Sequence, residues 1–104
     1  MNPTPTSPEL DTAWARLRTV IDPEIGLNLV DLGLVYSVEL KEGALDVAIT
    51  LTTRGCPMHD MIVEGCRRAL EGIPGVRESN IHVVWDPPWN PEMMSAEAKR
   101  QLGR

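Results

Sequence analysis

Val35-Tyr36-Ser37-Val38-Glu39-Leu40-Lys41-Glu42-Gly43-Ala44-Leu45-Asp46-Val47-Ala48-Ile49-Thr50-Leu51 reads as a β-hairpin. Val35 to Leu40 is a strand, Lys41-Glu42-Gly43 a short turn containing glycine, and Ala44 to Leu51 the return strand. Successive strand side chains point to opposite faces, so Leu45, Val47, Ile49 and Leu51 line one face and Asp46, Ala48 and Thr50 the other.

Downstream, Pro57 opens a helix over about 57–71. Met58, Met61, Ile62, Gly65, Cys66, Ala69 and Ile73 fall on one stripe, with Asp60, Glu64, Arg67 and Arg68 opposite. Pro74-Gly75 ends it, and Val76 to Trp85 is a third strand, strongest from Ile81 to Trp85. The intervening helix is a crossover, so the third strand should run parallel to the second through a right-handed connection. Asp86-Pro87-Pro88-Trp89-Asn90-Pro91 is too rich in proline for regular structure. A last helix runs from Pro91 or Ser95 to Leu102 and stops at Gly103.

Upstream, Ile25, Leu27, Leu29, Val30 and Leu32 alternate with Gly26, Asn28 and Gly33 at neither helical nor strand period, which predicts an apolar loop packed on the body. Ser7-Pro8-Glu9 is a helix-start signal. Leu10, Trp14, Leu17 and Ile21 then predict a helix over about 8–20, closed by Asp22-Pro23-Glu24. Residues 1–7 read as a disordered arm before a single domain over 8–104. The expected class is α+β, two layers in the order α-β-β-α-β-α, with a small three-stranded mixed sheet and helices on one face.

The 104 residues suit one domain, and 42% apolar content supports a thin core without phenylalanine. A net charge of −5 argues against a nucleic-acid surface. No apolar run is long enough to span a bilayer, and Met1 to Pro8 does not resemble a secretory signal. The expected compartment is the cytoplasm, where thiols stay reduced. Cys56 and Cys66 lie ten residues apart, roughly 15 Å along one helix, beyond disulfide reach.

Cys56 leads the candidate chemistry. It sits at the predicted helix entrance, where free amide groups and the dipole stabilise a thiolate. Thiolate is the form that binds soft metals and iron–sulfur clusters. The residues alone are equally consistent with a small buried loop filler. Cys66, inside the helix on its apolar stripe, reads as structural. His59, one turn after Cys56, could be a second ligand or a proton acceptor, or a partly exposed helix histidine. Asp22 and Glu24 flank Pro23 and can bind a cation or cap the turn, and Asp31 shares that ambiguity. The Trp85–Trp89 loop reads as a partner surface or as a lid folded on the sheet. There is no phosphate-binding glycine loop, nucleophile-elbow serine or Cys-x-x-Cys.

Three stretches resemble one family. Asp22 through Tyr36 resembles the opening signature of the metal–sulfur cluster biosynthetic family, which includes PaaD-, SufT- and YitW-like proteins. Thr50-Leu51-Thr52-Thr53-Arg54-Gly55-Cys56-Pro57-Met58 resembles its cysteine motif. Trp85 to Trp89, with Met94-Ser95 and Ala98-Lys99, resembles its C-terminal signature, so the likeness covers about residues 10–103. The resemblance implies a compact α/β domain that assembles or delivers iron–sulfur clusters to client apoproteins, working with other assembly proteins and without catalytic turnover. It implies Cys56 as cluster or metal ligand and Asp22 and Glu24 as the acidic pair near it. His59 occupies a position that varies within the family. The chain lacks the extra C-terminal cysteines of PaaD-like proteins that mature an oxygenase, which favours a general assembly factor.

One thiolate cannot hold a cluster that takes four protein ligands. Either a homodimer supplies two copies of Cys56, or a client or small thiol completes the site. Binding is then transient, of a cluster or of iron, with no permanently bound cofactor. The alternatives are a thiol-dependent redox enzyme using Cys56 with His59 as base, and a non-catalytic interaction module using the Trp85–Trp89 loop.

Overall fold

A computed structural model describes residues 8–23, 25–52 and 59–103, and for His59 the backbone alone. The order is α1 (Pro8–Leu17), β1 (Val35–Lys41), β2 (Ala44–Ile49), α2 (His59–Ala69), β3 (Glu78–Val83), a short 3-10 turn (Pro91–Met93) and α3 (Ala96–Gln101). The strands form one mixed sheet in the order β1-β2-β3, an open α+β arrangement. β1 and β2 are antiparallel, and β3 joins β2 in parallel, as the crossover requires. Glu42 and Gly43 both have positive φ, the backbone a tight two-residue hairpin turn demands.

The alternation read from β2 sets the core. Leu45, Val47, Ile49 and Leu51 are buried, with α1 against β1 and α2 against β3. Glu39, Asp46 and Asn80 stand in register across the other face. α1 contributes Ala13 and Leu17, and the α2 segment contributes Ile62, Cys66, Leu70 and Ile73. Arg16 donates from Nη1 to the Ala69 and Glu71 carbonyls at 3.3 and 2.5 Å, satisfying the open end of α2 from α1.

Several boundaries differ from the sequence reading. α1 stops at Leu17, because Val20 and Ile21 leave the helix to pair with the apolar loop. The Leu29 amide donates to the Val20 carbonyl, and Ile21 bridges Asn28. Ile21 is therefore half exposed and not on the buried stripe. Met61 also leaves its predicted stripe, at 62% exposure. One residue is about 100° of helical rotation, and the buried line is set by Ile62 and Cys66. β3 spans Glu78–Val83, shorter at both ends than the expected 76–85, and starts in register with Ala44.

The apolar loop is packed as predicted, with Leu29, Leu32 and Leu34 fully buried. Asn28 and Asp31 staple it. The Asn28 side chain donates to Asp31 Oδ2 and accepts from the Asp31 amide, each at 2.8 Å. Residues 84–103 lie over this loop as a strap. Trp89 Nε1 donates to the Leu32 carbonyl at 2.7 Å, the Tyr36 hydroxyl donates to the Pro87 carbonyl at 2.7 Å, and the Ser95 amide donates to the Asp31 carbonyl at 2.7 Å. Ser95 caps α3 by accepting from the Ala98 amide, and Met94 and Ala98 enter the core.

Candidate functional site

Of the residues singled out for chemistry, Cys56 and Glu24 lie outside the described residues, as does the His59 side chain. Asp22 is described in full, and it is buried at 3% exposure. Its backbone amide donates to the Leu27 carbonyl at 2.9 Å, and its carbonyl accepts from Gly26 at 2.7 Å. Its carboxylate Oδ1 accepts from the Ile25 amide at 3.2 Å. The capping role is thus directly visible. Asp22 closes the turn that returns the chain to Leu27, with Gly26 at φ 87° completing the reversal.

Asp31 is a structural residue. The Asn28 amide holds its carboxyl below the ordinary value against a modest burial penalty, helped by the Ser95 hydroxyl and the Arg18 guanidinium. Arg18 Nη1 approaches Asp31 Oδ1 at 3.2 Å.

Cys66 is a free thiol with no exposed surface, and burial pushes its pKa up to about 11. It stays protonated at neutral pH and is not available as a ligand. The structural reading of this cysteine is correct. Among the described residues Thr50, directly after β2, is the buried polar residue besides Asp22, and its Oγ1 has no hydrogen-bond partner there. Trp85 and Trp89 are half buried against the core, so the aromatic loop is a lid and not a free-standing surface. Among the described residues no three His, Cys, Asp or Glu side chains gather where they could hold a metal ion, and no helix is long and apolar enough to cross a membrane.

The structure adds a groove that the sequence reading did not locate. It separates residues 19–23 from α2, has a volume of about 450 Å³, and is lined by Ile21, Pro23, Met61, Gly65 and Arg68 among others. In the chain, Pro23 lies between the two acids, and Met61 follows Cys56 by five residues. The one sequence signal was Gly65, an interior helix glycine.

A family model for iron–sulfur cluster assembly proteins matches residues 10–83, a span that contains Asp22, Glu24, Cys56 and His59. The chain belongs to this family. It is 44% identical over 88 residues to the Fe-S protein maturation auxiliary factor YitW of Bacillus subtilis, covering 84% of this chain and 86% of that one. It is 46% identical over 85 residues to the Fe-S protein maturation auxiliary factor SufT of Staphylococcus aureus, covering 81% and 97%. A crystal structure of a domain of unknown function from Bacillus anthracis superposes with a TM-score of 0.85 at 42% identity, covering 89% of this chain and 90% of that one. Family membership agrees with the expectation drawn from the three motifs.

Proposed function

We propose that this protein is an iron–sulfur maturation factor that transiently binds a cluster or iron through Cys56 and passes it to client apoproteins in the cytoplasm, without catalytic turnover. The observation that carries this reading is the 44% identity to a maturation auxiliary factor over most of both chains. In this reading Cys56 is the thiolate ligand, and Glu24 and His59 are further candidate donors. Asp22 acts by closing the turn that leads to Leu27. The state of Cys66 supports an incomplete site. Its thiol is buried and protonated, so one chain offers one usable thiolate where a cluster takes four ligands. The missing ligands come from a second copy, a client or a small thiol, and such a site releases its cargo readily.

Anaerobic reconstitution with ferrous iron and sulfide, followed by absorption spectroscopy, tests the reading. Wild-type protein is expected to develop a sulfide-to-iron charge-transfer band that bleaches on adding an apo-client, and Cys56→Ser to develop none. Identical spectra for the two proteins would remove Cys56 as the ligand.

A further inference from the structure

The groove beside α2 has properties that the fold does not need for itself. Ile21 and Met61 both line it, 50% and 62% exposed, and Leu102 is the one other exposed large apolar side chain among the described residues. Single exposed apolar residues are ordinary on any protein, but a pair lining one groove forms a patch. Gly65 lines the same groove, one helical turn after Met61 on α2. Glycine weakens a helix interior relative to alanine because it has more backbone freedom to lose. Nothing within the described residues requires it there. Its φ is not positive, and a Cβ would meet only Val20 Cγ1, at the 3.4 Å edge of ordinary contact. The missing side chain keeps the groove deep at the expense of the helix.

The charge is equally specific. Among the described residues, Arg68 is the single charged residue lining the main groove. Its Nε donates to Glu64 Oε2 at 3.2 Å, while its two terminal amino groups have no partner among the described residues. The other Glu64 oxygen is taken by Arg67, so one carboxylate serves two guanidinium groups. A shallower, more open pocket shares Met61, Gly65 and Arg68 with the groove and adds Asp60 and Glu64. An occupant of the main groove must therefore bring an apolar side chain and, at the Arg68 end, a carboxylate that can accept from the two free amino groups.

We propose that this groove docks an acidic, apolar segment of the client protein, with a leucine-sized side chain over Gly65 between Ile21 and Met61 and the neighbouring carboxylate on Arg68. The identity of the partner as a client rests on the maturation-factor reading. The binding chemistry does not.

The test is an NMR titration of the whole chain with three end-blocked hexapeptides: Gly-Ser-Leu-Asp-Ser-Gly, its Leu→Ala counterpart and its Asp→Asn counterpart. The Leu-Asp peptide is expected to shift the amides of Ile21, Met61 and Gly65, and each counterpart to bind at least tenfold more weakly. In Arg68→Gln the Asp and Asn peptides should bind alike. Gly65→Ala should raise Tm by about 4 °C while weakening the Leu-Asp peptide at least tenfold. A glycine kept for folding would instead lower Tm. Equal binding of all three peptides, binding of none, or shifts that follow protein concentration instead of peptide, the mark of a second copy in the groove, would each overturn the proposal. Cys56→Ser should bind the peptide as wild type does, so loss of cluster uptake and loss of docking are read separately.

Discussion

Burial of Cys66 decides what the second thiol of this chain can do. With a pKa pushed up to about 11, about one thiol in a thousand is ionised at pH 8, and none of it is exposed. Iodoacetamide at pH 8 should leave Cys66 unmodified in native protein and modify it fully in guanidinium, as peptide mass spectrometry would read. Asp31 carries the pH dependence that the described residues predict. Its carboxyl is held below the ordinary 3.8, first by the Asn28 amide and then by Ser95 and Arg18. A depressed folded value means that its stabilisation is complete above the unfolded value and is lost as pH falls through the folded one. Asp31→Asn should therefore cost about 1 kcal/mol at pH 7, with Arg18 largely solvated, and flatten the loss of stability below pH 3.8, measured by urea unfolding across pH. The chemistry of single residues was partly legible in advance. Cys66 on an apolar stripe and Asp22 beside a proline could be read for burial and capping. Asp31 could be read only in part, since Asn28 is local but its other partners Arg18 and Ser95 come from farther away along the chain.

Between elements, the strap crosses the apolar loop at close quarters. Gly33 has φ 78°, and a Cβ there would overlap the Met93 backbone carbonyl. Gly33→Ala combines left-handed strain with a backbone clash that no side-chain rotation relieves. It should cost roughly 3 kcal/mol, seen as a Tm fall of more than 10 °C, whereas Gly72→Ala, with the same φ and open space, should lose far less. The strands and their pairing were readable because alternation in Ala44 to Leu51 is a local signal. The end of α1 was not, because Val20 and Ile21 fit a helical spacing and are taken out of it by pairing with Asn28 and Leu29, a contact that spacing does not carry. Met61 was misplaced for a related reason. A stripe containing both Met61 and Ile62 is wider than the line α2 can bury.

The whole molecule is larger than its family match. The match ends at residue 83, yet Met94, Ala98 and the two tryptophans of the strap pack on the core. A chain ending at Val83 would uncover Leu32 and leave its carbonyl without the Trp89 bond. Losing the burial of Met94 alone removes roughly 2 kcal/mol, and a domain of this size has little to spare. The truncated chain should lose its sharp thermal transition, followed by circular dichroism. The prolines between Trp85 and Trp89 ruled out regular structure there, but only the tertiary bonds from Tyr36 and Trp89 separate a lid from a partner surface. The groove was invisible in the sequence because residues 19–23 and α2 meet only in the folded chain. The strap has a further consequence for how the protein is made. Everything it covers leaves the ribosome before it does, and at 5–20 residues per second the strap takes roughly 1–4 s to emerge. For that interval the newborn chain shows its leucine-rich loop uncovered, a transient surface of the kind that chaperones hold.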